Sequence, residues 1–268
     1  MTTMAAASPA SLLSGAWIQG RVVGALIMRE LHTRFGRDNI GYLWLFLEPA
    51  LLSLIIAVLH IIKRGPLPWG MQMVPFYVSG YTIHCAFRFT INRSSSTLQA
   101  NSTLLYHRHV TIMDLILSRS ILDCAATMVA GLVIMLIASA FEFGDLPQRP
   151  LIFLGAWALN LWFCTGLAML VVAGSVVYPG IDKFTHPLTY LALPLSNCFT
   201  IYEQLPPIGK YFLIWFPQAQ IGEMTREGVF AHFNSPLTKP LYVMGWCAAL
   251  TFLGFFALRA VRPKVILE

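Results

Sequence analysis

The chain has 268 residues, of which 57% are hydrophobic and only 11% are charged. An average soluble domain carries roughly 25% charged residues, so this composition excludes an ordinary soluble fold and indicates an integral membrane protein. The net charge of +6 fits contact with anionic lipid, and no basic run with interleaved aromatic residues predicts nucleic-acid binding.

A basic amphipathic segment comes first, at residues 15–37. Val23, Ile27, Leu31 and Phe35 recur every fourth residue on one arc, while most of the arginines of this segment fall on the opposite arc. This pattern is typical of a helix that lies in the membrane interface with its cations toward anionic headgroups.

Six apolar segments follow the amphipathic one. Their runs are continuous rather than alternating, which favours helices over a barrel, and they are about as long as a membrane crossing requires. We therefore predict a single transmembrane domain (1–268) of an all-α integral membrane protein, with six transmembrane helices at 42–62, 73–92, 114–140, 150–173, 185–202 and 240–260.

The lysines and arginines predict the orientation of these helices. With the N-terminus inside, twelve of the eighteen fall on the cytoplasmic side of the membrane. Because basic loops stay preferentially in the cytoplasm, we predict a multi-pass protein with both termini cytoplasmic.

Two connections are too long to be simple turns. The first contains a polar stretch at 98–110 on the predicted cytoplasmic side, and the second is the mostly apolar segment 203–239 on the outer side. In the second, the run Y-F-L-I-W-F is too short to cross the membrane and lies between Pro207 and Pro217. Short apolar helices separated by prolines predict a re-entrant segment.

The sequence carries little that predicts catalysis. It contains no G-x-x-x-x-G-K-[ST] motif, so the chain cannot hydrolyse ATP by the usual route, and any pumping draws energy from another subunit or an ion gradient. The five cysteines lie far apart in apolar segments, without zinc-site spacing, so we expect no metal or cofactor in this chain. His109 and Asp114 have a spacing that some membrane acyltransferases use, which leaves a membrane enzyme as a distant alternative.

Three arginines at the entrance to the first apolar segment are the strongest functional candidates: Arg29, Arg34 and Arg37. A guanidinium group binds phosphate in a bidentate way, so these residues could attract a lipid phosphate. Ordinary anchoring to anionic lipid explains the same composition equally well.

Three further charges lie in or beside the predicted membrane spans. Glu48 falls inside the first span, directly before Pro49, and predicts either a structural hydrogen bond or a transport path, since an intramembrane carboxylate is costly. Arg88 and Arg93 lie near the inner end of the second span, where they either extend to the headgroups or attract a lipid phosphate.

Several motifs together resemble a known family. The order R-E-x-x-T-R-F-G-R, then G-Y-L-W, then E-P, spans residues 29–49. P-F-Y-V-S-G at 75–80, A-N-S-T-L-L-Y at 100–106 and M-T-R-E-G-V-F at 224–230 extend it over nearly the whole chain. These motifs resemble the permease subunit of capsule polysaccharide exporters, type-2 ABC transporters of the bacterial inner membrane.

The resemblance implies a set of partners. They are a second copy of the chain, two ATPase subunits that bind ATP and Mg²⁺, and a periplasmic polysaccharide co-polymerase. The substrate implied is a capsular polysaccharide on a glycolipid anchor, moved from the cytoplasm to the periplasm. The chain would then be a permease subunit and not itself an enzyme.

The resemblance also implies roles for particular residues. Arg29, Arg34, Arg37, Glu48, Arg88 and Arg93 would form or adjoin the lipid gate. The stretch 98–110, with Leu104, Leu105, Tyr106, His107 and Arg108, would contact the ATPase. Lys210 and Arg226 would meet a polyanion at the outer mouth. From the need for flat stacking surfaces, we expect the channel at the dimer interface to be lined by Tyr42, Trp44, Phe46, Tyr81 and Phe87.

Three alternatives stay open. A permease of the same architecture could export another lipid-linked polymer, such as O-antigen. A membrane acyl- or glycosyltransferase would need His109, Asp114 or a comparable pair to be essential. A membrane scaffold would have no transport activity of its own.

Overall fold

The computed structural model describes the backbone of residues 9–35, 40–64, 67–101, 110–178 and 180–267. Side chains at 9–13, 34–35, 40–46, 61, 63–64 and 264–267 lie outside the description. The protein is all-helical, with 82% helix and no strand in the part described.

Nine α-helices occupy the described ranges. Short 3-10 turns at Pro68–Gly70, Gln99–Asn101 and Tyr202–Gln204 interrupt the connections between them. The helices are α1 Pro9–Phe35, α2 Ile40–Arg64, α3 Met73–Ser94, α4 Ile112–Ala140, α5 Pro150–Val177, α6 Ile181–Leu195, α7 Pro207–Leu213, α8 Pro217–Val229 and α9 Pro240–Leu267.

Three helices are long and apolar enough to cross a membrane. These are α4, α5 and the Pro240–Pro263 part of α9. A shorter apolar stretch, Leu47–His60, lies in α2. The all-helical, apolar architecture fits an integral membrane protein, and the count of six crossings stays a prediction.

Helix α3 is the centre of the bundle. Every residue from Pro75 to Arg88 is buried, because α2, α4, α5, α6 and α8 pack around this helix. A helix enclosed on all sides does not need a lipid-facing apolar stripe. This explains why the segment 73–92 is less apolar than the others.

Helix α1 packs along α4 as an amphipathic element. It turns Val23, Leu26 and Glu30 toward the protein, whereas Trp17 and Met28 remain exposed. The face that packs on the protein is therefore rotated from the apolar arc that the sequence periodicity defines.

The segment 185–202 differs from its prediction. Helix α6 ends at Leu195, and Asn197 adopts a positive φ of 51°. Pro194 lies in its last turn, and the Ser196 N–H closes the helix on the Ala192 carbonyl oxygen at 2.9 Å. At 15 residues α6 is roughly 22 Å long, shorter than the roughly 30 Å of a hydrocarbon core.

The segment 203–239 contains two short helices, α7 and α8. Pro207 and Pro217 each stand at a helix start, where the missing N–H costs nothing. Helix α8 is almost wholly buried and packs against α3 and α5. Re-entry of this segment into a membrane stays a prediction.

Candidate functional site

A set of polar contacts joins the amphipathic helix to the bundle. Gln19 Nε2 donates to Asp114 Oδ1 at 3.0 Å, at the start of α4. Further along both helices, the Arg119 guanidinium of α4 pairs with the Glu30 carboxylate of α1 at 3.3 Å. We call this set, completed by Arg29 and Asn101 below, the α1–α4 seam.

Arg29, the first of the predicted gate arginines, belongs to this seam. Its guanidinium donates to the side-chain oxygen of Asn101, in the 3-10 turn after α3, and lies 3.8 Å from Glu30. About a third of the side chain remains exposed. Arg29 therefore links α1 directly to the start of the predicted coupling stretch. The side chains of Arg34 and Arg37 lie outside the description.

Asp114 has a structural use in this arrangement. Its carboxylate accepts the Thr111 N–H at 3.0 Å and the Thr111 hydroxyl at 2.7 Å, and Thr111 caps α4 in return. A reciprocal capping box of this kind fixes a helix start. His109, its proposed catalytic partner, lies outside the described residues.

Arg93 lies beside the α1–α4 seam, at the end of α3. It forms an ion pair with Asp123 of α4, and its side chain is 40% exposed. Arg119 also donates to the Thr97 hydroxyl at 3.1 Å. Cations and carboxylates therefore alternate where α1, α3 and α4 meet, and part of the Arg93 side chain remains exposed.

Two of the predicted residues within the spans meet each other. The guanidinium of Arg88 pairs with the carboxylate of Glu48 from α2, and also donates to the Tyr190 hydroxyl of α6 at 2.8 Å. Arg88 is only 6% exposed. Arg88 thus joins three helices through Glu48 and Tyr190, and pairing of this kind is how a charge within an apolar bundle is normally accommodated.

Arg226 requires a correction. It was expected to meet a polyanion, but its side chain is fully buried. It pairs with Glu223 at 2.9 Å and donates to the carbonyl oxygens of Thr200 and Cys198 at 2.8 and 2.6 Å. Burial raises the pKa of Glu223, and the adjacent guanidinium opposes that rise. Arg226 thus fixes the 198–200 segment to α8. Lys210, by contrast, is partly exposed, and its Nζ atom lies over the Tyr202 ring, 5.9 Å from the ring centroid.

The aromatic residues expected in a channel also require a correction. Tyr81 and Phe87 are 3% and 8% exposed, so they pack inside one subunit rather than face a second copy. Tyr81 stacks on Phe199 with centroids 5.5 Å apart, and Phe87 contacts Phe163. Their helix, α3, is enclosed on all sides, which the sequence periodicity did not reveal. The side chains of Tyr42, Trp44 and Phe46 lie outside the description.

The predicted ATPase contacts Leu104, Leu105, Tyr106, His107 and Arg108 also lie outside the described residues. Both flanks of this stretch are described, however. Asn101 precedes it and Asp114 follows it closely, and both contact α1. No group of three or more potential metal ligands occurs in the described part of the chain.

Sequence reasoning missed several members of these clusters. Asn101 and Tyr190 are ordinary polar residues whose partners lie 72 and 102 positions away, so no local signal indicates them. Glu223 and Arg226 are three apart on one helix, and that spacing was a usable signal for an internal ion pair.

Comparison with known proteins gives three informative relatives. The capsule polysaccharide export inner-membrane protein CtrC of Neisseria meningitidis serogroup B is 34% identical over 227 residues, 85% of this chain and 86% of the relative. BexB of Haemophilus influenzae, with the same description, is 35% identical over 213 residues and 80% of each chain. The polysialic acid transport protein KpsM of Escherichia coli is 28% identical over 262 residues, 95% of this chain and 98% of the relative. No family model matches the sequence.

Proposed function

Because the chain belongs to the family of capsule polysaccharide export inner-membrane proteins, we propose that it is the transmembrane subunit of an ATP-driven exporter. The exporter moves a glycolipid-anchored capsular polysaccharide from the cytoplasm to the periplasm. The observation that carries this proposal is the sequence similarity to CtrC, which is 34% identical over an alignment that covers 85% of the chain. The long apolar helices support a place in a membrane, and the relatives' description as inner-membrane proteins supports the inner membrane.

The complex we propose contains two copies of this chain and two ATPase subunits, which bind ATP and Mg²⁺. A periplasmic polysaccharide co-polymerase receives the polymer. A separate ATPase is part of this proposal because the sequence contains no phosphate-binding loop of the Walker type that could hydrolyse ATP within the chain itself.

The entry gate for the lipid end of the substrate is α1 with the adjoining residues Arg34 and Arg37. Support comes from the position of Arg29, which is still partly exposed while it bonds Asn101. Exposed guanidinium groups next to a lipid-facing helix suit a phosphate of the anchor. Arg93, 40% exposed, offers a further cation on the same side of the bundle.

The stretch 98–110 transmits the motion of the ATPase to the gate. Support comes from Asn101, near the start of the stretch, which bonds Arg29, and from Asp114, just beyond its end, which bonds Gln19. A displacement of the stretch would therefore pull on α1 at two points. Such a link converts hydrolysis in one subunit into opening in another.

The test is deletion of the gene in its own bacterium, combined with purification of a tagged copy of the chain. We expect loss of surface capsule, accumulation of the polymer inside the cell, and co-purification of an ATPase whose hydrolysis responds to this chain. Loss of O-antigen with intact capsule would indicate a different polymer. Capsule export that persists without any ATPase would contradict the proposal of an ATP-driven exporter.

A further inference from the structure

A cavity of about 210 Å³ lies at the end of the bundle away from the α1–α4 seam. The last turns of α2, the first turns of α3 and the segment 199–206 enclose it. The residues that matter here are His60, Phe76, Tyr77, Phe199, Thr200 and Gln204.

The floor of the cavity is aromatic. Phe76 and Tyr77 are almost completely buried and meet edge to face, with centroids 5.1 Å apart. Phe199 is partly exposed and lies 6.4 Å from Tyr77. Because Phe199 also stacks on Tyr81, its ring is held in place.

The rim of the cavity is polar. Tyr77 and His60 share a hydrogen bond of 2.6 Å, and Thr200 and Gln204 are exposed at the opening. The backbone here is fixed, because the Thr200 carbonyl oxygen accepts a hydrogen bond from the buried Arg226. Fixed polar groups around an apolar floor characterise a pre-formed binding site.

Size and charge restrict what this cavity holds. Pockets for drug-sized ligands measure roughly 300–1,000 Å³, so a cavity of about 210 Å³ admits one ring-sized group. Its described lining includes no lysine, arginine, aspartate or glutamate. The described lining therefore favours a small, uncharged group that can both stack and hydrogen bond.

We propose that this cavity binds one sugar ring of the exported glycan through an uncharged face of the ring. A pyranose presents C–H groups to an aromatic ring and hydroxyls at its edge, which matches the floor and the rim. The inference rests on the proposed function, and it places a glycan subsite at the exit end of the subunit.

A lipid tail is the less suitable occupant. It would leave Thr200 and Gln204, which are exposed at the opening, facing hydrocarbon instead of water, which is costly for polar groups. A sugar ring replaces the lost water with its own hydroxyls. The experiment below still distinguishes the two.

The first test is cross-linking during export, in the bacterium that produces this chain. A photoreactive benzoylphenylalanine replaces Gln204 in one strain and Phe212, an exposed aromatic residue outside the cavity, in the other. After illumination the purified subunit is stained for carbohydrate by periodate oxidation, and attached lipid is identified by mass spectrometry.

We expect glycan on the subunit that carries the probe at position 204, and none from position 212. Attached phospholipid alone at position 204 would overturn the sugar subsite, and so would the absence of any adduct in a strain that still exports capsule. If the unaltered chain supports no capsule export, the proposed function itself has failed, and this outcome is visible in the parent strain before illumination.

The second test compares two deletions of a phenyl ring. Removal of one aromatic contact is worth roughly a 2- to 10-fold change, so Phe199→Ala should lower the rate of capsule export by about that factor at unchanged membrane abundance. Phe212→Ala should leave the rate unchanged. Equal rates for both variants would contradict the subsite. Tyr77→Phe, which keeps the ring and loses the hydrogen bond to His60, provides a further variant with little change in shape.

Discussion

The guanidinium of Arg88 in α3 lies against the carboxylate of Glu48 in α2, forty positions earlier in the chain. The same guanidinium donates to the Tyr190 hydroxyl of α6, so one charged group holds three helices together. In an apolar bundle each charge requires its partner, and the loss of either leaves the other unpaired.

We therefore expect Arg88→Met and Glu48→Gln each to destabilise the purified complex, by up to about 3 kcal/mol, because the remaining polar group loses its partner. The double variant should be less destabilised than the sum of the two. Thermal unfolding, followed by fluorescence-detected gel filtration, measures this coupling. Strictly additive effects would show that the pair does not contribute as a pair.

A second prediction concerns the close approach of α3 to the Arg226 cluster. A Cβ atom on Gly80 would lie 2.3 Å from the Cys198 carbonyl oxygen and 2.7 Å from Arg226 Nη2. Gly80→Ala should therefore destabilise the protein by about 1–3 kcal/mol, since backbone must move. The matched control is Gly245→Ala in α9, where nothing lies within 4 Å. Equal abundance and melting temperature for the two variants would contradict this packing.

The hydrogen bond between Arg29 and Asn101 predicts that a variant without it uncouples capsule export from ATP hydrolysis. Asn101→Ala removes the link between α1 and the stretch 98–110, so capsule export should fall several-fold while the subunit still assembles and the ATPase still hydrolyses ATP. Ser96→Ala, an exposed change a few residues earlier in the same connection, is the control. Parallel loss of export and hydrolysis would indicate failed assembly instead.

The gate proposal predicts that Arg34→Ala combined with Arg37→Ala stalls export, because the lipid phosphate loses its binding groups. Membrane insertion should stay normal. Arg21→Ala is the matched control, since it removes an exposed cation of α1 that lies over the Trp17 ring at 4.8 Å. Unimpaired surface capsule in the double variant would remove these arginines from the gate.

The proposed orientation is testable by thiol labelling. All five native cysteines are buried, so the background should be low. In intact cells a membrane-impermeant maleimide should label Glu203→Cys, whereas Ser96→Cys should react only after permeabilisation. Both positions are exposed. The reverse pattern would place the proposed gate and the ATPase contact on the wrong side of the membrane.

The predicted bounds agree best with the structure for the helices that have long apolar runs. The prediction 114–140 corresponds to α4 at 112–140, and 150–173 to α5 at 150–177. Such runs determine a helix locally, because the backbone has no other way to satisfy its hydrogen bonds in hydrocarbon. The predicted segment 185–202 extends beyond the end of α6 at Leu195, where Pro194 and the left-handed Asn197 terminate the helix.

Composition and local pattern were enough to indicate a membrane protein, an amphipathic helix before the apolar segments and a chain without an ATP-binding loop. These depend on composition and on neighbours along the chain. The packed fold was needed to show that Arg88 meets Glu48, that Arg226 and Tyr81 are buried, and that His60 borders a cavity with Phe199. The physical reason is that periodicity gives the faces of a helix, whereas the partner of each face depends on how distant helices rotate and pack.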